Sequence, residues 1–149
     1  MADSLTITST AFKDGSRIPA KYTCDGDNVN PPLTIAGIPE QTKSLVLIVD
    51  DPDAPGGTWD HWVVWDIKPM KVIKEDSVPG VQGINDNKRH QYGGPCPPSG
   101  THRYFFKVYA LNTTLRLDPA SRKELVEQAM IGHILAQGQL VGLYSREND

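Results

Sequence analysis

The sequence predicts a mainly antiparallel β-sandwich with minor helix, and three observations carry that expectation. Apolar runs of strand length, rich in β-branched and aromatic residues, recur along the chain. Twelve prolines and thirteen glycines in 149 residues supply the turns between them. A single stretch carries a clear helix-start signal.

Taken in order, Leu5-Thr-Ile-Thr-Ser9 alternates apolar and polar residues and reads as a strand. Asp14-Gly15 marks a tight turn, and residues 21–32 are polar and turn-rich. Residues 44–50, Ser-Leu-Val-Leu-Ile-Val-Asp, form a nearly continuous apolar run, the mark of a strand covered on both faces. Residues 61–67 repeat that character. Residues 69–99 read as loop with weak strand signals, long enough to suggest a functional or strongly packed excursion. Residues 103–111 are the longest clear strand, consistent with a central place in the sheet. Ser121-Arg-Lys-Glu124 fits a capping box, in which the serine hydroxyl accepts from the Glu124 amide and the glutamate returns the bond. Leu125, Ala129 and Val126 would form the apolar face of that helix, and Gly132 its stop. From about Ala136 a strand is favoured, because Gly138 and Gly142 would each cost about 1 kcal/mol in a helix.

The length fits one domain over residues 1–149, large enough for a true core. A net charge of −3 argues against broad binding to a nucleic-acid backbone, so any anion must be held by a few donors in one pocket. No apolar run approaches the roughly 20 residues that span a bilayer. The first residues lack the basic flank and apolar core of a signal peptide, so a cytoplasmic location is expected. In that setting Cys24 and Cys96 are expected as two reduced thiols, with one long-range bridge as the alternative.

Polar residues gather at strand ends. Alternation places Leu45, Leu47, Val49 and Asp51 on one face. Asp53 continues that direction if the chain stays extended through Pro52. His61 falls with Val63 and Trp65, and His102 with Tyr104, Phe106 and Val108. If these strands are neighbours with matching ends, Asp51, Asp53, His61, His102 and Tyr104 form one cluster on loop tips of a rigid sheet. The segment Tyr92-Gly-Gly-Pro-Cys-Pro-Pro-Ser-Gly-Thr-His-Arg-Tyr104, stiff without regular structure, would wall it. Calcium loops fail at both Asp51-x-Asp53 and Asp25-x-Asp27. No phosphate loop, dinucleotide fingerprint or nucleophile elbow is present, and no metal-ligand spacing. No cofactor, metal or catalytic residue is therefore expected.

Asp51-Pro-Asp-Ala-Pro55, Trp59-x-His61-Trp-Val-Val and Gly94-Pro-Cys-Pro-Pro-Ser-Gly-Thr-His-Arg-Tyr104 closely resemble the signatures of the phosphatidylethanolamine-binding protein family, which includes Raf kinase inhibitor protein. Lys21-Tyr-Thr-Cys-Asp-Gly26, Asn30-Pro-Pro-Leu33, Gly132-His-Ile-Leu-Ala and Gly142-Leu-Tyr support the match, in a form similar to the prokaryotic branch. The resemblance implies one large antiparallel sheet packed on a smaller one, with short helices. It implies a pocket at one end of the sheet for phosphate, phosphoethanolamine headgroups and similar oxyanions. Carried over by motif, that pocket comprises Asp51, Asp53, Trp59, His61, Cys96, Pro97, His102 and Tyr104.

In such a pocket the tyrosine hydroxyl, the imidazoles and loop amides, Gly94 among them, would supply donors, and the carboxylates would orient the imidazoles. The leading expectation is a binding module for small anions or phospholipid headgroups, with a regulatory or inhibitory role, rather than an enzyme. The alternatives are a serine protease inhibitor that presents the loop of residues 81–98, and a hydrolase with Cys96 as nucleophile beside a histidine base. A protein target such as a protease or kinase, peripheral membrane contact and a homodimer remain open partners. Nucleic acid and transmembrane segments are not expected.

Overall fold

The computed structural model describes residues 3–146. Among these, nine strands and one α-helix are formed: β1 (Asp3–Ser4), β2 (Thr6–Thr8), β3 (Leu33–Ala36), β4 (Ser44–Asp51), β5 (Trp59–Ile67), β6 (Val72–Ile73), β7 (Val81–Gln82), β8 (His102–Leu111), α1 (Lys123–Met130) and β9 (Ile134–Tyr144). Six strands make one sheet in the order β1-β9-β8-β4-β5-β7, and β2, β3 and β6 make a second. Neighbours are antiparallel except β1, which runs parallel to β9.

The main core lies between the sheets. Leu45, Leu47, Val49, Trp62, Val64, Phe106, Val108 and Leu140 of the large sheet meet Ile7, Leu33, Ile35 and Ile73 of the small one. A second cluster on the opposite face packs Val46, Ile48, Val63, Trp65 and Leu111 against Val126 and Met130 of α1. With both faces covered, every residue of β4 is buried, which is why its sequence does not alternate.

Two local expectations are corrected. Helix α1 starts at Lys123 behind Arg122, with no side-chain cap, so the capping box at Ser121 and Glu124 does not form. Ser121 is instead drawn inward, where its carbonyl accepts the Ile84 amide. Lys123 is claimed by buried acids, its ammonium 2.8 Å from Asp60 and 3.4 Å from Asp50. This tertiary ion pairing turns the helix so that Val126 and Met130 face the core, while Leu125 is exposed. The strand after Gly132 is as expected. A Cβ at Gly138 would collide with the Leu5 carbonyl, so this glycine lets the N-terminal segment lie across β9.

Candidate functional site

β4 pairs with β5 on one side and β8 on the other, both antiparallel. The end of β4 therefore lies beside the beginnings of its two neighbours. Those three tips carry Asp51, then Trp59 and His61, then His102 and Tyr104. Together they border a cavity of about 300 Å³.

Regular alternation would send His61 away from this cavity, onto the face of Val63 and Trp65. A β-bulge prevents that. Val49 pairs with Trp62, but Asp50 pairs with Asp60, so His61 is the extra residue. The bulge turns its ring toward β8, 5.3 Å from the Tyr104 ring in an edge-on contact. The His102 ring stacks at 6.4 Å from the same phenol.

Each imidazole is held through Nδ1. His102 Nδ1 donates to Asp51 Oδ2 at 2.7 Å, and His61 Nδ1 donates to the Gly93 carbonyl at 2.7 Å. Nε2 is then the free nitrogen on both rings. Burial pushes the His61 pKa down, outweighing the Gly93 bond and the charge of Asp51, so this ring is neutral and its Nε2 is an acceptor. Burial, reinforced by the Asp51 carboxylate, raises the Tyr104 pKa far above its usual value. Its hydroxyl stays protonated, buried and without a well-formed hydrogen bond. No lysine or arginine lines the cavity, and Asp51 is the one carboxylate on its wall.

The third wall is the segment 94–98. Its Gly94 amide donates to Asn28 Oδ1 at 2.7 Å, and the Pro95 carbonyl accepts the Cys24 amide at 3.1 Å. Any side chain at Gly94 would strike the Tyr22 carbonyl. Cys96 is bonded to Cys24 at a sequence separation of 72. The expectation of two free thiols is thereby corrected. A cysteine nucleophile at position 96 is corrected with it, since the sulfur is not a thiol. The Gly93 and Gly94 amides are likewise spoken for, by the His61 carbonyl and Asn28, and are not donors to the cavity.

Of the eight residues named from sequence, the cavity is lined by Asp51, Trp59, His61, Cys96, Pro97, His102 and Tyr104. Asp53 is not among them. After Pro52 the chain turns instead of extending, and the Asp53 amide donates to Asp51 Oδ1. Its carboxylate holds the Arg103 guanidinium through two bonds of 2.8 and 2.9 Å, and that pairing lowers its pKa to about 2. It therefore fixes the β4–β8 corner from outside. Asn87 and Pro98 line the cavity without having been singled out, and Asn85 positions it unseen. Asn85 donates to the His61 and Gln91 carbonyls and accepts the Asn87 and Arg89 amides. In sequence these asparagines carry only a turn signal. Among the described residues, no three His, Cys, Asp or Glu side chains converge to hold a metal ion. No helix there is long and apolar enough to cross a membrane.

The family model described as phosphatidylethanolamine-binding protein matches residues 8–145. The chain is 50% identical to the UPF0098 protein of Methanothermobacter thermautotrophicus over 150 residues, covering 95% of this chain and 99% of that one. Its fold is similar to a phosphatidylethanolamine-binding protein homologue from Chlamydia trachomatis, with a TM-score of 0.93, 40% identity, and coverage of 98% and 100%. Escherichia coli YbcL, described as a member of the mammalian family, gives a TM-score of 0.89 at 33% identity, with coverage of 97% and 99%.

Proposed function

The chain belongs to the phosphatidylethanolamine-binding protein family, and on that premise we propose that its cavity binds a small oxyanion such as phosphate or a phosphoethanolamine headgroup. One observation carries the reading. The Tyr104 hydroxyl is a buried donor without a well-formed hydrogen bond, beside the Asp51 carboxylate and between two imidazoles whose Nε2 atoms are unclaimed. A buried polar group left unpaired costs about 1–3 kcal/mol, which a ligand oxygen at this point would recover. Asp51 orients His102, and it can also receive the ammonium of a bound ethanolamine.

Calorimetry with phosphoethanolamine tests this. The native protein binds, while His61→Ala and Tyr104→Phe each weaken binding by about tenfold, the loss of one hydrogen bond to a charged group. Affinity unchanged in both variants would reject the site.

The charge balance sets a second expectation. With His61 neutral the cavity offers an acceptor at its Nε2 beside the Asp51 carboxylate, so a bare anion is repelled there. A proton must enter with it, on an imidazole or on the ligand. Phosphate binding should thus tighten as pH falls, and calorimetry at pH 7 in buffers of differing ionisation enthalpy should register net proton uptake. Proton release would contradict the assigned tautomers. The sign for folding is opposite. His61 has a lowered pKa when folded, so the stability tied to its neutral form is present above about pH 6.5 and declines as pH falls through the folded value. Bound anion should offset that decline.

A further inference from the structure

A groove of about 520 Å³ adjoins the cavity, lined by Asn28, Asn85, Asn87, Arg89, Gln91 and Gly93. Asn87 belongs to both, and the Gly93–Gly94 step separates them, with Gly93 on the groove and Gly94 on the cavity. A Cβ at Gly93 would lie 2.9 Å from Asn87 Nδ2, so the Asn87 side chain packs closely over this backbone. The loop beneath is rigid, because buried Asn85 commits both side-chain atoms to its backbone. Asn28 is likewise spent on the Gly94 amide. The amides of Asn87 and Gln91 and the guanidinium of Arg89 remain. Among the described residues, Arg103, Arg122 and Arg146 are ion-paired, whereas Arg89 forms no ion pair.

We propose that this groove is a second subsite of the cavity, and that the ligand is a phosphate monoester whose alcohol part carries a carboxylate. The proposal rests on the cavity being an oxyanion site. The phosphoryl group occupies the cavity, and the carboxylate reaches over the Gly93–Gly94 step to the Arg89 guanidinium, with Asn87 and Gln91 donating to oxygens between. Guanidinium and carboxylate match in a bidentate pair, which a point charge would not specify. The monoester follows from the unclaimed His61 Nε2, an acceptor because Nδ1 donates to Gly93. A monoester has a second ionisation near pH 6, so at neutral pH it can take up at small cost the proton that the His61 acceptor needs. The phosphodiester of a membrane lipid has no such ionisation. The ligand is accordingly a free phosphorylated small molecule.

O-phosphoserine and phosphoethanolamine differ by the carboxylate alone. Calorimetry at pH 7 with these two, inorganic phosphate and glycerophosphoserine separates the possibilities. O-phosphoserine should bind about tenfold tighter than phosphoethanolamine and at least tenfold tighter than the diester. Arg89→Gln, at an exposed position, should erase the first difference and leave inorganic phosphate and the melting temperature unchanged. Equal affinity for O-phosphoserine and phosphoethanolamine in the native protein would overturn the subsite. So would an Arg89→Gln loss shared equally by all ligands. Glycerophosphoserine binding as tightly as O-phosphoserine would overturn the monoester assignment. If inorganic phosphate fails to bind the native protein, the oxyanion reading falls first and the subsite with it.

Discussion

Replacing Cys24 and Cys96 together by serine should lower folding stability by about 4 kcal/mol. The bond closes a chain segment with a sequence separation of 72, and constraining a loop of that length in the unfolded state gives about this magnitude in the chain-entropy account. Cys96 is exposed and Cys24 half-buried, so the serines create no buried unpaired hydroxyl. The comparison therefore reports the crosslink and little else. Urea unfolding of the native protein with and without reductant should reproduce the difference, with a steeper denaturant dependence once the unfolded chain can expand. A loss under about 1 kcal/mol would mean that the crosslink adds little to the fold. Binding should weaken as well, because Cys96 is part of the cavity wall. After its loss that wall is tied to the rest mainly by the Gly94–Asn28 and Cys24–Pro95 hydrogen bonds.

Lys123→Met should cost about 3–5 kcal/mol at pH 7, the usual penalty for stranding a buried charge. The lysine side chain is 12% exposed, and its partners Asp50 and Asp60 are 2% and 9% exposed. Asp50 keeps Lys107 at 3.1 Å, but Asp60 loses the one cation it pairs with among the described residues. Burial already raises the Asp60 pKa against the pull of Lys123. Removing the lysine raises it further, so the penalty is present above the folded pKa and shrinks as pH falls through it. Thermal melts from pH 7 to pH 4 should reveal this convergence. Adding Asp60→Asn should recover much of the loss, since neither charge then remains alone. A variant as stable as the native protein would assign Lys123 a surface role. The exposed Lys21–Glu75 pair is the internal contrast, and breaking it should leave the melting temperature nearly unchanged because solvent screens it.

Strand existence was legible because β4, β5 and β8 must each bury an apolar face, and that requirement is written into residue order. The helix was legible as a helix but not in its rotation. A Ser-x-x-Glu pattern speaks for local hydrogen bonds, whereas here buried Asp50 and Asp60 draw in Lys123 and set the facing residues. Asp53 was misplaced for a related reason. Two residues beyond a strand end, alternation no longer governs direction, and Arg103 on a different strand decided where the carboxylate went. Asn85 and Asn28 escaped notice because a buried asparagine and a turn asparagine look alike in sequence. Only the partners distinguish them.

By itself the sequence determined the long strands β4, β5, β8 and β9, that both faces of β4 are covered, and that acids, imidazoles and a phenol stand at strand tips, while the short strands β1, β3, β6 and β7 carried no clear signal. Side-chain period and hydrophobic burial act locally, so they can be read along the chain. Tertiary structure alone decided that His61 turns inward, that Cys24 meets Cys96, and that Arg89 stands unpaired beside the cavity. Each depends on a register shift, a crosslink or a charge partner contributed by residues far away in the chain, and such partners exist only once the sheet has closed around them.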